Sequence, residues 1–208
     1  MAGKNDFDNE YYVINVDGAK NHPLLAWGKT RRGPFLNSAL IDEKTLSLPL
    51  QIVFDEPYPK QYEMADFLML GAQFACSETL RKIFEKNKVY GIQFIPIEIS
   101  SNKKEIIKGH YVIHFWNRLR AIDENNYEGG KPDEFGEILD LNHFSLNEKM
   151  LNKIPLEKRL VFVLEEDPGI INVHKSIYDI MVSEKISGFM GCKVSEWNNS
   201  IMFKKNNI

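Results

Sequence analysis

Cysteine is almost missing from this chain: Cys76 and Cys192 are all it has, too few for a disulfide framework or a zinc cluster. Long apolar runs are missing too. None approaches the roughly 18 residues that a bilayer-spanning segment needs, and the polar opening MAGKNDFDNE has no apolar signal-peptide core. A strong charge of one sign is also lacking. Net charge is −3 and the pI is near 6.0, so nothing global draws the chain to nucleic acid. These absences lead to the expectation of a soluble, cytoplasmic protein with no nucleic-acid and no membrane partner. Apolar residues are not lacking: at 43% of 208 residues they suffice for a core that buries roughly 70% of the unfolded chain's surface.

Catalytic sets are the next absence. HYVIH puts His110 and His114 at i, i+4, a metal-ligand spacing on a helix. The flanking YVIHFW reads as strand, where four residues span roughly 13 Å at about 3.3 Å each. A zinc ion, held at about 2 Å, cannot be shared over that distance. His22, His143 and His174 have no cysteine or carboxylate at ligand spacing. Cys76, placed on the apolar stripe of a helix, and Cys192, in an apolar strand, read as small core hydrophobes. EGGKP at 128–132 lacks the Gly-to-Gly-Lys frame of a phosphate loop. KTRRG at 29–33 reads as solvated surface. No catalytic residue, metal ligand or cofactor is expected.

What the chain does contain is a repeat. CSETLRKIFEKNKVYGI begins at Cys76 and VHKSIYDIMVSEKISGF at Val173, one constant offset of 97 residues. Leu80 meets Ile177, Ile83 meets Ile180, Phe84 meets Met181, Val89 meets Ile186 and Gly91 meets Gly188. Any two amphipathic helices share a 3.6-residue stripe, but the matched β-branched residue and glycine beyond it favour a duplicated helix–turn–strand unit. Ser77 is placed to cap the first helix. His174 stands in its place in the second, with Asn172 as the alternative cap.

Around these units the pattern is mostly strand: YYVINV, then 46–54 with Pro49 pointing to a sheet edge, then DFLML. IQFIPIEIS and IIKGHYVIHFW follow, joined through SNKKE as a hairpin, then EILDLN, RLVFVLEE and FMGCKVSEW. The thirty residues after YYVINV read as loop, and 1–10 as a frayed end. Ser145 and Glu148 match a capping box ahead of a further short helix, LNEKMLNK. The class is α+β, with mostly antiparallel sheet, two similar helix–turn–strand units and one further short helix. The chain reads as one domain over 1–208, or as two lobes, about 11–122 and 137–204, joined by an acidic loop at 123–136.

That loop is where charge collects. Between 123 and 137 six carboxylates face a single Lys131, a local charge of −5. Asp123, Glu124, Glu128, Asp133 and Glu134 surround Tyr127 and Phe135, and the milder stretch 54–66 adds Tyr58 and Tyr62. Aromatic anchors among carboxylates suit a basic protein partner; an ordinary solvated loop is the competing reading.

The order of YYVINVD, DFLML, CSETLRKIFEKNKVYGIQFIPIEI, HYVIHFWNRLRAID, RLVFVLEED and ISGFMGCKVSEW resembles a family of small bacterial immunity proteins encoded beside polymorphic toxins. The resemblance spans about Tyr11 to Trp197 and rests on apolar blocks and the G-x-x-F-x-P strand at 91–96, not on a catalytic motif. It implies a non-enzymatic binding role: neutralising a cognate toxin delivered by the same or a kindred cell. It brings no site residues with it, so the partner-binding candidates remain the nine named above. A cytoplasmic immunity protein implies a toxin acting in the cytosol, and a nucleic-acid-degrading toxin would itself be basic. Oligomeric state is open. An enzyme or small-molecule binder with a site assembled from distant residues, and an interaction module unrelated to toxins, remain the alternatives.

Overall fold

In the computed structural model of the chain, the described residues are 5–18, 21–28, 39–56 and 61–200. Tyr58 and the KTRRG cluster lie outside them. The element order is α1 (Phe7–Glu10), β1 (Tyr11–Val16), β2 (Leu25–Trp27), β3 (Leu50–Phe54), β4 (Phe67–Leu70), β5 (Gln73–Ser77), α2 (Glu78–Lys86), β6 (Ile92–Ser100) and β7 (Ile106–Phe115). Then come β8 (Arg118–Leu119), β9 (Ile122–Glu128), β10 (His143–Leu146), α3 (Glu148–Leu151), β11 (Val161–Leu164), β12 (Ile171–His174), α4 (Lys175–Ser183) and β13 (Phe189–Lys193). This is an α+β fold with mostly antiparallel pairing. Among the described residues only β2–β4, β3–β6 and β8–β11 run parallel. None of the helices found there is long and apolar enough to cross a membrane.

Six strands close a barrel in the order β2-β3-β6-β7-β5-β4. Alternation fills it. Leu50, Ile52 and Phe54 of β3, Ile95, Ile97 and Ile99 of β6, and Val112 of β7 share one core with Leu68 and Leu70, while Gln51 and Val53 between them are exposed. β3 is therefore paired on both sides, not an edge strand. Pro49 escapes the conflict because it precedes the strand, where no ladder donor is required of it. The stretch read as loop contains β2, which closes the barrel through Leu25 and Leu70.

Five strands form an open sheet in the order β13-β1-β12-β11-β8. β11 reads VFVL and is buried throughout: Val161 and Val163 join one core, Phe162 and Leu164 another. A sheet covered on both faces needs such unbroken apolar strands. One face packs on α2, α4 and the outer wall of the barrel. The other carries β9, β10, α1, α3 and Trp197. Of the stretch read as a frayed end, residues 5–10 are described and packed: Phe7 is buried, and the Asp8 carboxylate accepts the Leu146 N–H at 2.8 Å.

The repeat is real at the level of backbone. α2 and α4 are both nine residues long and start 97 positions apart. Each is followed by a left-handed lysine, Lys88 at φ 51° and Lys185 at φ 57°, then by a left-handed glycine, Gly91 at φ 84° and Gly188 at φ 83°. The unit also starts earlier than its helix. Cys76 lies in β5, and Val173 in the matching β12, so strand–helix–turn–strand is what recurs. His174 caps its own helix, accepting the Ser176 N–H on Nδ1 at 3.2 Å; Asn172 is fully buried in β12. α2 and α4 pack Leu80, Phe84, Ile177 and Met181 into one shared core. Asp66 fastens the two units together. Its carboxylate accepts the Ser77 hydroxyl (2.6 Å) from one cap, and the Ser187 N–H (2.9 Å) and hydroxyl (2.8 Å) from the other turn. After β13 the chain turns into a short 3-10 segment, Val194–Glu196, where sequence reading continued the strand.

Candidate partner-binding face

The acidic stretch is not a loop throughout. IDENNYE forms β9, although Asp, Glu and Asn are poor strand residues. It holds because β10 pairs with it antiparallel, His143 against Glu128, Phe144 against Tyr127 and Leu146 against Ile122. Ile122, Phe144 and Leu146 are buried, and the Asn126 amide donates to the Ser145 hydroxyl at 2.6 Å. Ser145 thus belongs to a strand, and Asn147 caps α3 by accepting the Met150 N–H. EILDLN is a turn rather than a strand, with Ile138 and Leu141 tucked inward.

Between β9 and β10 the connection is tightly stitched. The Asp133 carboxylate accepts the N–H groups of Phe135 (2.8 Å) and Glu137 (2.9 Å), the self-bonding habit that suits Asp to turns. Ile138 donates its N–H to the Glu166 carbonyl at 2.7 Å, which ties the turn to the end of β11. The Glu166 side chain is buried and accepts the N–H groups of Ala121 (3.3 Å) and Ile122 (3.0 Å). Burial pushes its carboxyl up, opposed by those backbone bonds. Burial does the same to Asp167 beside it, and the Glu137 charge adds to the rise. Arg120 bridges the face, its guanidinium 3.3 Å from the Phe135 carbonyl and 3.7 Å from Glu165.

Of the residues proposed from sequence, Glu124, Glu128, Asp133, Glu134 and Phe135 are exposed and Asp123 is half-buried, all on this one hairpin and its turn. Tyr127 is also there, but it packs against the core of Phe144, so it is a wall and not a protruding anchor. Tyr62 is elsewhere. It lies on the barrel, edge-on to Phe54 at 4.8 Å, and donates to Glu105 at 3.1 Å. Sequence reading missed Glu165, Glu166 and Asp167, which a strand end brings in, and Leu139. The most exposed large apolar side chains among the described residues are Phe135 at 73% and Leu139 at 67%. A cavity of about 210 Å³ opens between β9 and the turn, walled by Ile122, Tyr127, Pro132 and Ile138 with Glu124, Glu166 and Arg120.

The other candidates for chemistry are dispersed. His110 and His114 are strand residues, as read, and His114 lies 2.8 Å from the Ala39 carbonyl. Burial pushes both imidazoles below their ordinary range. It raises the Cys76 thiol well above its usual value and lifts Cys192 to about 11, so neither is a poised thiolate. Among the described residues no group of three or more His, Cys, Asp or Glu could hold a metal ion.

No curated protein matches the chain. The model of the Immunity protein family (Imm11) matches residues 7–195, from α1 through the barrel, the acidic hairpin and the second repeated unit into the 3-10 segment after β13. The chain belongs to the Imm11 immunity protein family.

Proposed function

We propose that this chain binds a cognate toxin acting in the cytosol and neutralises it by occlusion, with the acidic hairpin and turn as the contact face. The observation that carries the reading is the family match over 7–195. The face adds the rest. Carboxylates on β9 and the turn, reinforced by Glu165 and Asp167, flank the exposed Phe135 and Leu139. A basic toxin would be steered by the charge and held by the apolar pair. The role is non-enzymatic. Protection then rests on complementarity between two surfaces, not on turnover.

The test is stoichiometric neutralisation of the toxin encoded beside this chain, with binding kinetics followed at two salt concentrations. One equivalent should abolish toxin activity. Glu128→Lys with Glu134→Lys should slow association mainly at low salt, because rim charges act on the encounter. Toxin that stays active under excess chain overturns the reading. Unchanged association in the charge-reversed variant removes the acidic face from it. Cell fractionation tests location, since a mainly periplasmic protein would exclude a cytosolic target.

A further inference from the structure

The cavity between β9 and the turn is shaped for one kind of guest. At about 210 Å³ it exceeds several-fold the roughly 10–15 Å³ that a single water requires, so the head of a long side chain fits. Ile122, Tyr127, Pro132 and Ile138 offer apolar walls, and Glu124 and Glu166 offer carboxylates. Arg120 also lines the cavity, but its guanidinium is turned to Glu165 and the Phe135 carbonyl, so the two lining carboxylates still outnumber it. An aliphatic stem along apolar walls with a cationic head among carboxylates is how lysine and arginine bury themselves, and a tyrosine ring beside the head adds cation–π attraction.

Two further observations point the same way. Glu166 is buried and its carboxylate accepts N–H groups from Ala121, Ile122 and its own backbone, which leaves about one of a carboxylate's roughly four acceptor positions for a further donor. Burial holds its carboxyl above the usual range even though the backbone bonds and the Arg120 charge oppose the rise, a remaining cost that a second cation would relieve. Independently, the two most exposed large apolar side chains among the described residues, Phe135 and Leu139, rise from the same turn. The turn is already fixed by the Asp133 and Ile138 hydrogen bonds, so little ordering is needed on binding.

We propose that this cavity receives a single lysine or arginine side chain of the cognate toxin, with Phe135 and Leu139 closing over the toxin surface around it. The inference rests on the immunity reading and names the contact that reading requires. Specificity among related toxins then follows from whether a partner presents a cation at this one point.

Two arms separate the cavity from the reading beneath it. In the first, the full chain is titrated with N-acetyl-arginine methylamide and, in parallel, with its uncharged citrulline analogue, while backbone amide NMR shifts are followed. The cationic probe should move the amides of Ile122, Gly136 and Glu166 saturably and the citrulline probe should not. Equal shifts, or none, overturn the cavity as a cation site. In the second, Glu124→Gln and Glu124→Arg are measured against the toxin. Glu124 is exposed, so thermal unfolding should be unchanged and serves as the folding control. Dissociation should quicken about tenfold or more for the arginine variant. If the wild type neutralises the toxin and both variants do so with unaltered dissociation, the cavity inference falls and the immunity reading stands. If the wild type fails to neutralise, the reading falls and takes the toxin side chain with it.

Discussion

α2 and α4 start from the same backbone plan and end in different surroundings. α2 carries charge on its outer face: Arg81 bridges Glu78 at 2.8 Å and Glu85 at 2.7 Å, and Lys82 adds a 3.4 Å contact to Glu78. α4 is greasier. It pairs Lys175 with Asp179, stacks Tyr178 on Tyr12 at 3.8 Å and leaves Val182 53% exposed. One copy runs into the closed barrel and the other into the edge of the open sheet. What stays constant is the inward stripe, the left-handed lysine and the left-handed glycine. The duplicated information is backbone conformation. Caps, surface charge and neighbours were free to differ.

The glycines should show the largest effects. A Cβ on Gly188 would sit 2.3 Å from the Phe67 carbonyl oxygen, and one on Gly91 would sit 1.9 Å from the Asn117 Cβ. Asn117 cannot easily yield, since its amide donates to the Lys158 carbonyl at 2.9 Å and the Val161 carbonyl at 3.1 Å. Backbone strain of about 1–3 kcal/mol and overpacking of about 1–3 kcal/mol put Gly188→Ala and Gly91→Ala each at about 2–6 kcal/mol by chemical denaturation. A stable alanine variant at either position would break the equivalence of the two turns.

Next come the stripes. Ile83 is 9% exposed while Ile180 is only half-buried. Ile83→Ala should cost about 2–5 kcal/mol, and Ile180→Ala under about 2 kcal/mol. Equal costs would mean that the second copy packs as tightly as the first.

The caps differ in chemistry, so pH separates them. Ser77→Ala and His174→Ala should each cost about 1 kcal/mol at neutral pH. His174 must be neutral to accept the Ser176 N–H. Burial holds its pKa below the ordinary 6.5, against the pull of Glu10 at 4.0 Å and with Arg159 and Lys175 assisting. A depressed folded pKa means the unfolded chain takes the proton first, so this stability is complete above about 6.5 and fades as pH falls through that value. Ser77 leans instead on Asp66. Burial raises the Asp66 pKa, but the bonds from Ser77 and Ser187 outweigh it and leave it below the ordinary 3.8. That contribution is complete above about 3.8 and is lost only in stronger acid. The His174→Ala penalty should therefore shrink by pH 5, on the order of the ordinary histidine range, while the Ser77→Ala penalty persists. Parallel pH profiles would refute the assignment of His174 as a cap.

Smallest of all is the ion-pair row. Arg81→Met should cost about 0.5 kcal/mol and less in high salt, with no counterpart to lose on α4 beyond Lys175–Asp179.

Much of this was legible in sequence. Matched apolar positions at one offset foretold the units, and residue types foretold most strands. Elements whose cause is non-local were not. β5 was hidden because FACS runs into the helix without a turn, so Cys76 looked helical. β9 was hidden because Asp, Glu and Asn fill IDENNYE between Ile122 and Tyr127; Phe144 and Leu146, some twenty residues away, hold it. Barrel closure depends on parallel partners such as Leu50 and Ile97, which no local pattern announces. Of the acidic face, the residues on β9 and the turn could be read from charge. Glu165, Glu166 and Asp167 could not, because long-range contacts bring that segment to the turn: the Ile138 N–H bond to Glu166, the Glu166 bonds to Ala121 and Ile122, and Arg120 between Glu165 and Phe135.

β1 lies between β12 and β13, with Tyr12 facing Val173 on one side and Lys193 on the other. During synthesis, the chain between Tyr12 and Val173 must be made before that strand finds its first neighbour in the sheet. At about 5–20 residues per second the wait is on the order of ten to thirty seconds. The barrel strands, all drawn from between Leu25 and Phe115, can meet long before. A ribosome stalled ahead of β12 would thus release a chain with a complete barrel and an unpaired YYVINV, ready to pair with whatever strand it meets. A cell that depends on this protein for protection has reason to translate its last third without pause.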